Sequence, residues 1–461
     1  MNDTAVRVLV PTGMIGAGFT PETVARGLEL GADVIAVDGG STDSGPYYLG
    51  SGTPKTSAAA VARDMRILLR AAAQAGIPLI VGSCGTSGAD SGVDWLAGIT
   101  DGILAEEDLR LTVATIHSEQ EPAYLKERLG QNAIHPLPPH GPLDAATIDG
   151  CARIVGMMGH EPIEAALRAG ADVVLAGRAT DTAVAAAFPL MKGLPAGPVW
   201  HASKIVECGG QCTTNPRSGG VLATIDHDGF TIEPLDPTAA CTPASVAAHM
   251  LYETADPFRM REPAGTLDVT HATYEALSDR IVRVTDSVFE PAEQHTIKLE
   301  GARISGYETM SFTGIRDPHI LANIEHWAAL LDKVLTDRVH QTLGLSAGPD
   351  GDYEFDIRLY GHNAILADLD PATGPAREVG VLLLVHAADQ ATATAVAKIA
   401  NPLMLHLPTV DMAYLPSLAF ATSPAETERG AVYEFVLNHV VDTDDPTALF
   451  RTEIRKAGNR A

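Results

Sequence analysis

The sequence predicts an α/β protein, with a mostly parallel, doubly wound sheet in an N-terminal domain over residues 1–220 and an α+β domain over residues 221–461 that completes the site or packs on it. Three observations predict it. Apolar runs of strand length between Val6 and Ala176 each stop at glycine and small polar residues. The stretches between them carry apolar residues at helical spacing. From about Val221 the pattern turns to short β-rich pieces joined by Asp-Pro and Glu-Pro turns. With 461 residues, 46% of them hydrophobic, the chain is too long for one ordinary core and apolar enough to fill two.

The first strand runs from Val6 to Val10 and is closed by Pro11-Thr12-Gly13. Its glycines continue as GxxGxG through Gly16 and Gly18, which is not the dinucleotide fingerprint GxGxxG and supports only a tight turn with a backbone-amide anion site. Thr20 as N-cap with Pro21 at the first helical position then starts a helix. Gly31-Ala32-Asp33-Val34-Ile35 opens the second strand and nearly repeats as Gly170-Ala171-Asp172-Val173-Val174. A Thr-Asp pair follows each, Thr42-Asp43 and Thr180-Asp181, so the two read as equivalent βα steps. The loop from Asp38 to Lys55 is long and glycine-rich, as functional loops are. On the helix after it Val61, Met65, Leu68, Leu69 and Ala72 share a face, leaving Arg63, Asp64, Arg66 and Arg70 to water.

Strands from Ile77 to Val81 and from Leu111 to Ile116 release Ser83, Gly85, Thr86, Ser87 and Gly88, and then His117-Ser118-Glu119, at their carboxyl ends. Four prolines between His135 and Pro142 predict an extended surface loop or a lid. Further strands are expected near Thr266 to Val269, Ile281 to Val284, Thr296 to Leu299, Tyr353 to Tyr360, Val379 to Val385 and Tyr433 to Val441. Helices are expected from Ile320 to Arg338 and near Ala391 to Ala400, and part of this region reads as ferredoxin-like.

The net charge of -26, with 32 Lys and Arg and no basic run, excludes nucleic acid and anionic membrane as expected partners and leaves a small molecule. The sequence has no apolar run of about 18 residues and no basic-then-apolar leader, which predicts a soluble, cytoplasmic protein. Five cysteines without a small secreted framework predict free thiols. Cys208 and Cys212 are one residue too far apart for a zinc knuckle, so no structural zinc site is expected. The apolar fraction and three tryptophans leave room for a homo-oligomer.

The chemistry concentrates between Gly170 and Gly220, where a strand ends in Gly177-Arg178-Ala179-Thr180-Asp181 and Glu207-Cys208-Gly209-Gly210-Gln211 follows a helix. One reading is an enzyme of the lyase, hydratase or isomerase type that transfers a proton at carbon in a small carboxylic acid. Arg178 would hold a carboxylate, Glu207 would be the general base, and Asp181 or Asp43 would orient it or bind a divalent ion. Gly16, Gly18, Ser83, Gly85, Thr86, Ser87, Gly88 and Gln211 would bind the ligand, the glycine amides receiving an oxyanion or phosphate. Cys208, with only His201 near it in sequence, reads as a small buried residue and not a nucleophile. A second reading is a metal-dependent hydrolase with Asp38, Asp43, His117, Glu119 and Asp181 around one cation. A third is a non-catalytic binder or scaffold for an acyl-CoA.

These two segments, together with Leu251-Tyr252-Glu253, Asp256-Pro257 and the stretch Glu300-Gly301-Ala302-Arg303-Ile304-Ser305-Gly306-Tyr307, resemble the acyclic terpene utilisation (AtuA-like) family from the first strand to about residue 330. The resemblance implies catabolism of acyclic terpenoids and other carboxylic acids handled as CoA thioesters, so CoA would enter as part of the substrate. Many members are longer and carry a small ferredoxin-fold domain at the carboxyl end. No extra domain of that type is obvious here, and a separate ferredoxin-like partner is the expected substitute.

Overall fold

Side chains that alternate along the apolar strands fill two cores, one on each face of a sheet. In the computed structural model, which describes residues 5–217, 219–371, 374, 376–409 and 411–458, Val8, Val34, Ile80, Ala114 and Val174 enter one core while Leu9, Ile35, Val81, Val113 and Leu175 enter the other. Helices Glu161–Arg168, Asp181–Met191 and Ala196–Val206 cover the first face, and Pro21–Glu29, Ala58–Ala75 and Asp90–Glu106 the second. The helix starts follow local chemistry: Thr20 caps the first helix through the Thr23 amide, with Pro21 in its first turn.

Strands Val6–Val10, Val34–Asp38, Leu79–Gly82, Val173–Ala176 and Leu111–His117 pair in that order, all parallel. Antiparallel strands extend the run at both ends. Val221–Ile225, Gly229–Pro234, Val282–Thr285 and Thr273–Ala276 add beyond Val6–Val10, and Arg451–Ala457 adds beyond Leu111–His117. The ten-stranded sheet is therefore mixed, a correction to the expectation of a mostly parallel one. Parallel strands need long crossovers, and after the Ala196–Val206 helix the chain turns instead through short hairpins.

The near-repeat has a physical cause. Gly31 and Gly170 both take positive φ, +84° and +89°, just after a helix. The aspartate two residues later then accepts the amide of the second residue of the neighbouring strand, Arg7 to Asp33 at 2.8 Å and Thr112 to Asp172 at 2.7 Å.

Residues up to Arg303 together with those from Phe435 onward form one unit, and Ile304 to Glu434 form a second. The expected boundary at 220/221 falls inside the first unit, because the strands after it continue the same sheet. That unit also carries the antiparallel trio Arg259–Glu262, Gly265–Asp268 and Val288–Pro291, and a pairing of Arg153–Met157 with Lys298–Ala302.

The second unit runs strand, helix, strand, strand, helix, strand. It uses the end of Thr296–Ile315, helix Ile324–Leu343, strands Tyr353–Tyr360 and Val379–Ala387, helix Gln390–His406 and the start of Glu426–Asp442. The sheet order, Tyr353–Tyr360, Val379–Ala387, Thr296–Ile315, Glu426–Asp442, is that of the ferredoxin-like fold. Trp327, Leu331, Val381, Leu383 and Val396 fill its core. The unit has the ferredoxin-like form read for part of this region from the sequence; its first strand is the continuation of the strand that carries Glu300, which hides where it begins. Among the described residues, no helix is long and apolar enough to cross a membrane.

Candidate functional site

In an α/β sheet the loops at the carboxyl ends of the parallel strands enclose the ligand crevice. Here they line a cleft of about 570 Å³ within the first unit, inside the range of roughly 300–1,000 Å³ usual for ligand sites. Asp38 and Asp43 from one strand-end loop, and Asp181 and Glu207 from two others, reach it, joined by Gly18, Gln211, Cys208, Tyr252 and Glu253.

Two glycine-rich loops meet backbone to backbone on one side of it. A Cβ on Gly209, whose φ is +58°, would stand 2.9 Å from the amide of Gly13, and one on Gly13 would stand 2.9 Å from the Cys208 carbonyl oxygen. The paired glycines after Glu207 therefore serve approach to another loop of the same chain as well as to the cleft. The anion site expected at Gly16 and Gly18 is real and already filled. Both amides donate to Asp64 Oδ2, at 2.7 and 3.2 Å. Asp64 is completely buried and paired with Arg63 at 2.7 Å, which corrects the expectation that it faces water and that these amides receive a ligand.

Arg178 lies behind the cleft lining and is 5% exposed. Its Nε donates to Glu300 Oε2 at 2.9 Å, Nη1 to Ser83 Oγ at 3.3 Å, and Nη2 to Thr42 Oγ1 at 3.4 Å; Asp181 stands 3.6 Å from Nη1. The guanidinium is thus committed to the protein, so the structure assigns it to holding Asp181 and Glu300, not to gripping a substrate carboxylate. Burial would raise Glu300, but Arg178 and then Lys298, at 2.8 Å, hold it down at about 2.

Glu207 sits one residue past the Ala196–Val206 helix, and its Oε1 accepts from Lys204 Nζ at 2.5 Å. Burial lifts its carboxyl to about 8 against the pull of Lys204, with Asp181 and Glu262 adding to the rise. Asp181 is also raised, first by burial and then by Glu253 and Asp43, with Arg178 opposing. Burial and Asp181 likewise raise Asp38 well above the usual carboxylate range; its Oδ2 accepts the Gly40 amide at 3.0 Å, and its Oδ1 has no partner among the described residues. Cys208 lines the cleft with its thiol pushed up by burial and Glu207.

Other expected ligand-binding residues are not brought to the cleft. Ser83, Thr86 and Ser87 are buried beneath it; Thr86 Oγ1 accepts the Lys55 amide at 2.9 Å and Ser87 Oγ donates to the Tyr48 carbonyl at 3.2 Å. Gly85 packs on Gly92, and Gly88 on the backbone of Gly177 and Arg178. The proposed cation set is divided too. Asp38, Asp43 and Asp181 line the cleft, whereas His117 pairs with Asp94 at 2.9 Å, and Glu119 accepts from Asp90 N at 3.0 Å and faces Arg153 at 3.3 Å. The His135 loop is no lid: His135 pairs with Asp442 at 3.0 Å, and His140 lines a separate cavity of about 250 Å³.

Sequence reasoning missed Lys204, His249, Glu262 and the placement of Asp64. Lys204 precedes Glu207 by three residues, the spacing of a helical ion pair, and was legible on that ground. Glu262 accepts from Thr180 and Thr182 at 3.0 and 2.5 Å, a contact across about eighty positions that no local pattern announces.

Fold and site together define a mixed α/β protein whose strand-end loops gather acidic side chains around one cleft. Residues 53–437 match the family described as acyclic terpene utilisation family protein AtuA, and the chain belongs to that family. The match begins at residue 53, not at the first strand, and continues well past residue 330, beyond which the resemblance read from the sequence is weaker. No curated protein and no solved structure matches the chain.

Proposed function

We propose that this protein is a cytoplasmic catabolic enzyme that moves a proton at a carbon beside a carbonyl, in a small carboxylic acid or its CoA thioester, as a lyase, hydratase or isomerase does. The observation that carries this reading is the convergence of Asp38, Asp43, Asp181 and Glu207 on one cleft, with Arg178 and Lys204 directly behind two of them. Such chemistry needs a base within reach of the carbon and a polarising group for the charge that develops on oxygen.

Asp181 fits the base. It opens onto the cleft, burial raises its carboxyl, and Arg178 fixes its position from behind. The polarising side of the cleft is the one built from Glu207 and Cys208, with the Lys204 cation behind it.

The test is deuterium incorporation. Purified protein is incubated in heavy water with a panel of acyl-CoA thioesters and their free acids, and exchange and product are read by mass spectrometry. Wild type is expected to exchange at least one substrate, and Asp181→Asn to lose roughly 10²- to 10⁴-fold of that rate. An unchanged rate in Asp181→Asn removes it as the base, and no exchange or conversion across the whole panel removes the reading.

A further inference from the structure

One trio of side chains on the polarising side has the donor atoms of a metal site. Glu207, Cys208 and His249 each place a ligand atom within 4.8 Å of the other two. Glu207 and Cys208 are consecutive and line the cleft, while His249 comes from the short turn His249–Leu251.

His249 supplies the second observation. It is 5% exposed, and its Nε2 has no hydrogen-bond partner among the described residues; the nearest recorded polar atom is Glu207 Oε1 at 4.0 Å. An imidazole nitrogen buried without a partner is costly unless something fills the place it points to.

A thiolate, an imidazole and a carboxylate form a three-residue donor set that leaves a fourth tetrahedral position open, as catalytic zinc sites do. Sulfur and nitrogen donors favour zinc or a neighbouring transition metal over magnesium or calcium. We infer that Glu207, Cys208 and His249 bind one divalent transition-metal ion of the zinc type, with its open position facing the cleft. The inference rests on the proton-transfer reading above and names its missing polariser: an ion there would take a substrate carbonyl oxygen as a Lewis acid.

Lys204 is the chief opposing feature, because its ammonium lies 2.5 Å from Glu207 Oε1 and repels a dication. It holds only one of the two carboxylate oxygens. Asp181, Glu253 and Glu262, each close enough to act electrostatically on Glu207 or Cys208, supply negative charge that offsets the added cation.

The experiment is a cobalt titration of the full chain after removal of metal by chelation. One equivalent of Co²⁺ should give thiolate-to-cobalt absorption in the near ultraviolet and ligand-field bands in the visible, both displaced by Zn²⁺. Cys208→Ser should lose the near-ultraviolet band, and both Cys208→Ser and His249→Gln should weaken binding by more than about 100-fold, beyond the usual cost of losing an outer-shell contact. Cys151→Ser, which removes a thiol outside the cleft, should leave the spectrum unchanged. Melting curves recorded without metal show whether each variant is folded. Absence of stoichiometric binding, or a thiolate band that survives Cys208→Ser, overturns the site. The spectrum does not depend on turnover, so a correct spectrum from a protein inactive on every thioester would remove the reaction and leave the metal standing.

Discussion

Glu300 and Glu207 are both buried glutamates, Glu207 on the cleft and Glu300 on the smaller cavity that shares Asp43 with it, and each touches a cation, yet their carboxyls move in opposite directions. Glu300 is held at about 2 and Glu207 is raised to about 8. Burial pushes both upward. The difference lies in company: Glu300 accepts from Arg178, Lys298 and Thr42, at 2.9, 2.8 and 3.1 Å. Glu207 has one close cation, Lys204, and feels Asp181 and Glu262 as well. A buried carboxylate with two cations and a hydroxyl is a structural tie, whereas one that shares a single cation among several carboxylates is left short of compensation. Glu300 thereby anchors the end of the Val173–Ala176 strand through Arg178, and Glu207 is left available to the cleft.

The most severe way to break this comparison is Glu300→Ala. It strands the Arg178 guanidinium in the interior, and urea unfolding should show a loss of about 3–5 kcal/mol. A loss below about 1 kcal/mol, the size of an ordinary hydrogen bond, would mean that Glu300 is no tie at all.

Acid should act next. The folded pKa of Glu300, about 2, lies below the ordinary value of 4.5, so its contribution is complete above 4.5 and disappears as pH falls from 4.5 through 2. A shift of that size corresponds to about 3 kcal/mol. Wild type should therefore lose stability over that window more steeply than Glu300→Gln, and parallel acid curves would contradict the assignment.

Gly209→Ala tests the scaffold beneath Glu207. A methyl group there meets the Gly13 backbone at positive φ, so a loss of about 1–3 kcal/mol is expected in the same unfolding assay. The smallest effect is expected from Glu207→Gln, about 1 kcal/mol or less, because the amide oxygen still accepts from Lys204 and little charge is removed. Equal losses in Glu300→Gln and Glu207→Gln would erase the distinction between them.

Much of this was legible in the sequence where local chemistry governs. Thr20 and Pro21 start a helix, Val6 to Val10 form a strand, and Tyr353–Tyr360 lies where alternation put it. Asp43, Asp181, Glu207 and Gln211 were identified because strand and helix ends expose them, and all four do line one cleft. Partners far along the chain were not legible. Arg178 looks free for a ligand until Glu300, 122 positions away, is seen to occupy it, and Gly16 and Gly18 look like an open anion site until Asp64 is seen to fill it. The mixed sheet escaped for a related reason: apolar alternation marks a strand but does not say which way it runs beside its neighbour.

The strand Arg451–Ala457 forms an edge of the large sheet beside Leu111–His117, although the whole ferredoxin-like unit lies between them in sequence. During synthesis the nascent first unit must therefore wait, with that flank uncovered, until the ribosome has made everything in between. Chaperone dependence and sensitivity to premature termination should for this reason concentrate on the codons up to and including that strand, whose absence leaves Leu111–His117 as a bare edge.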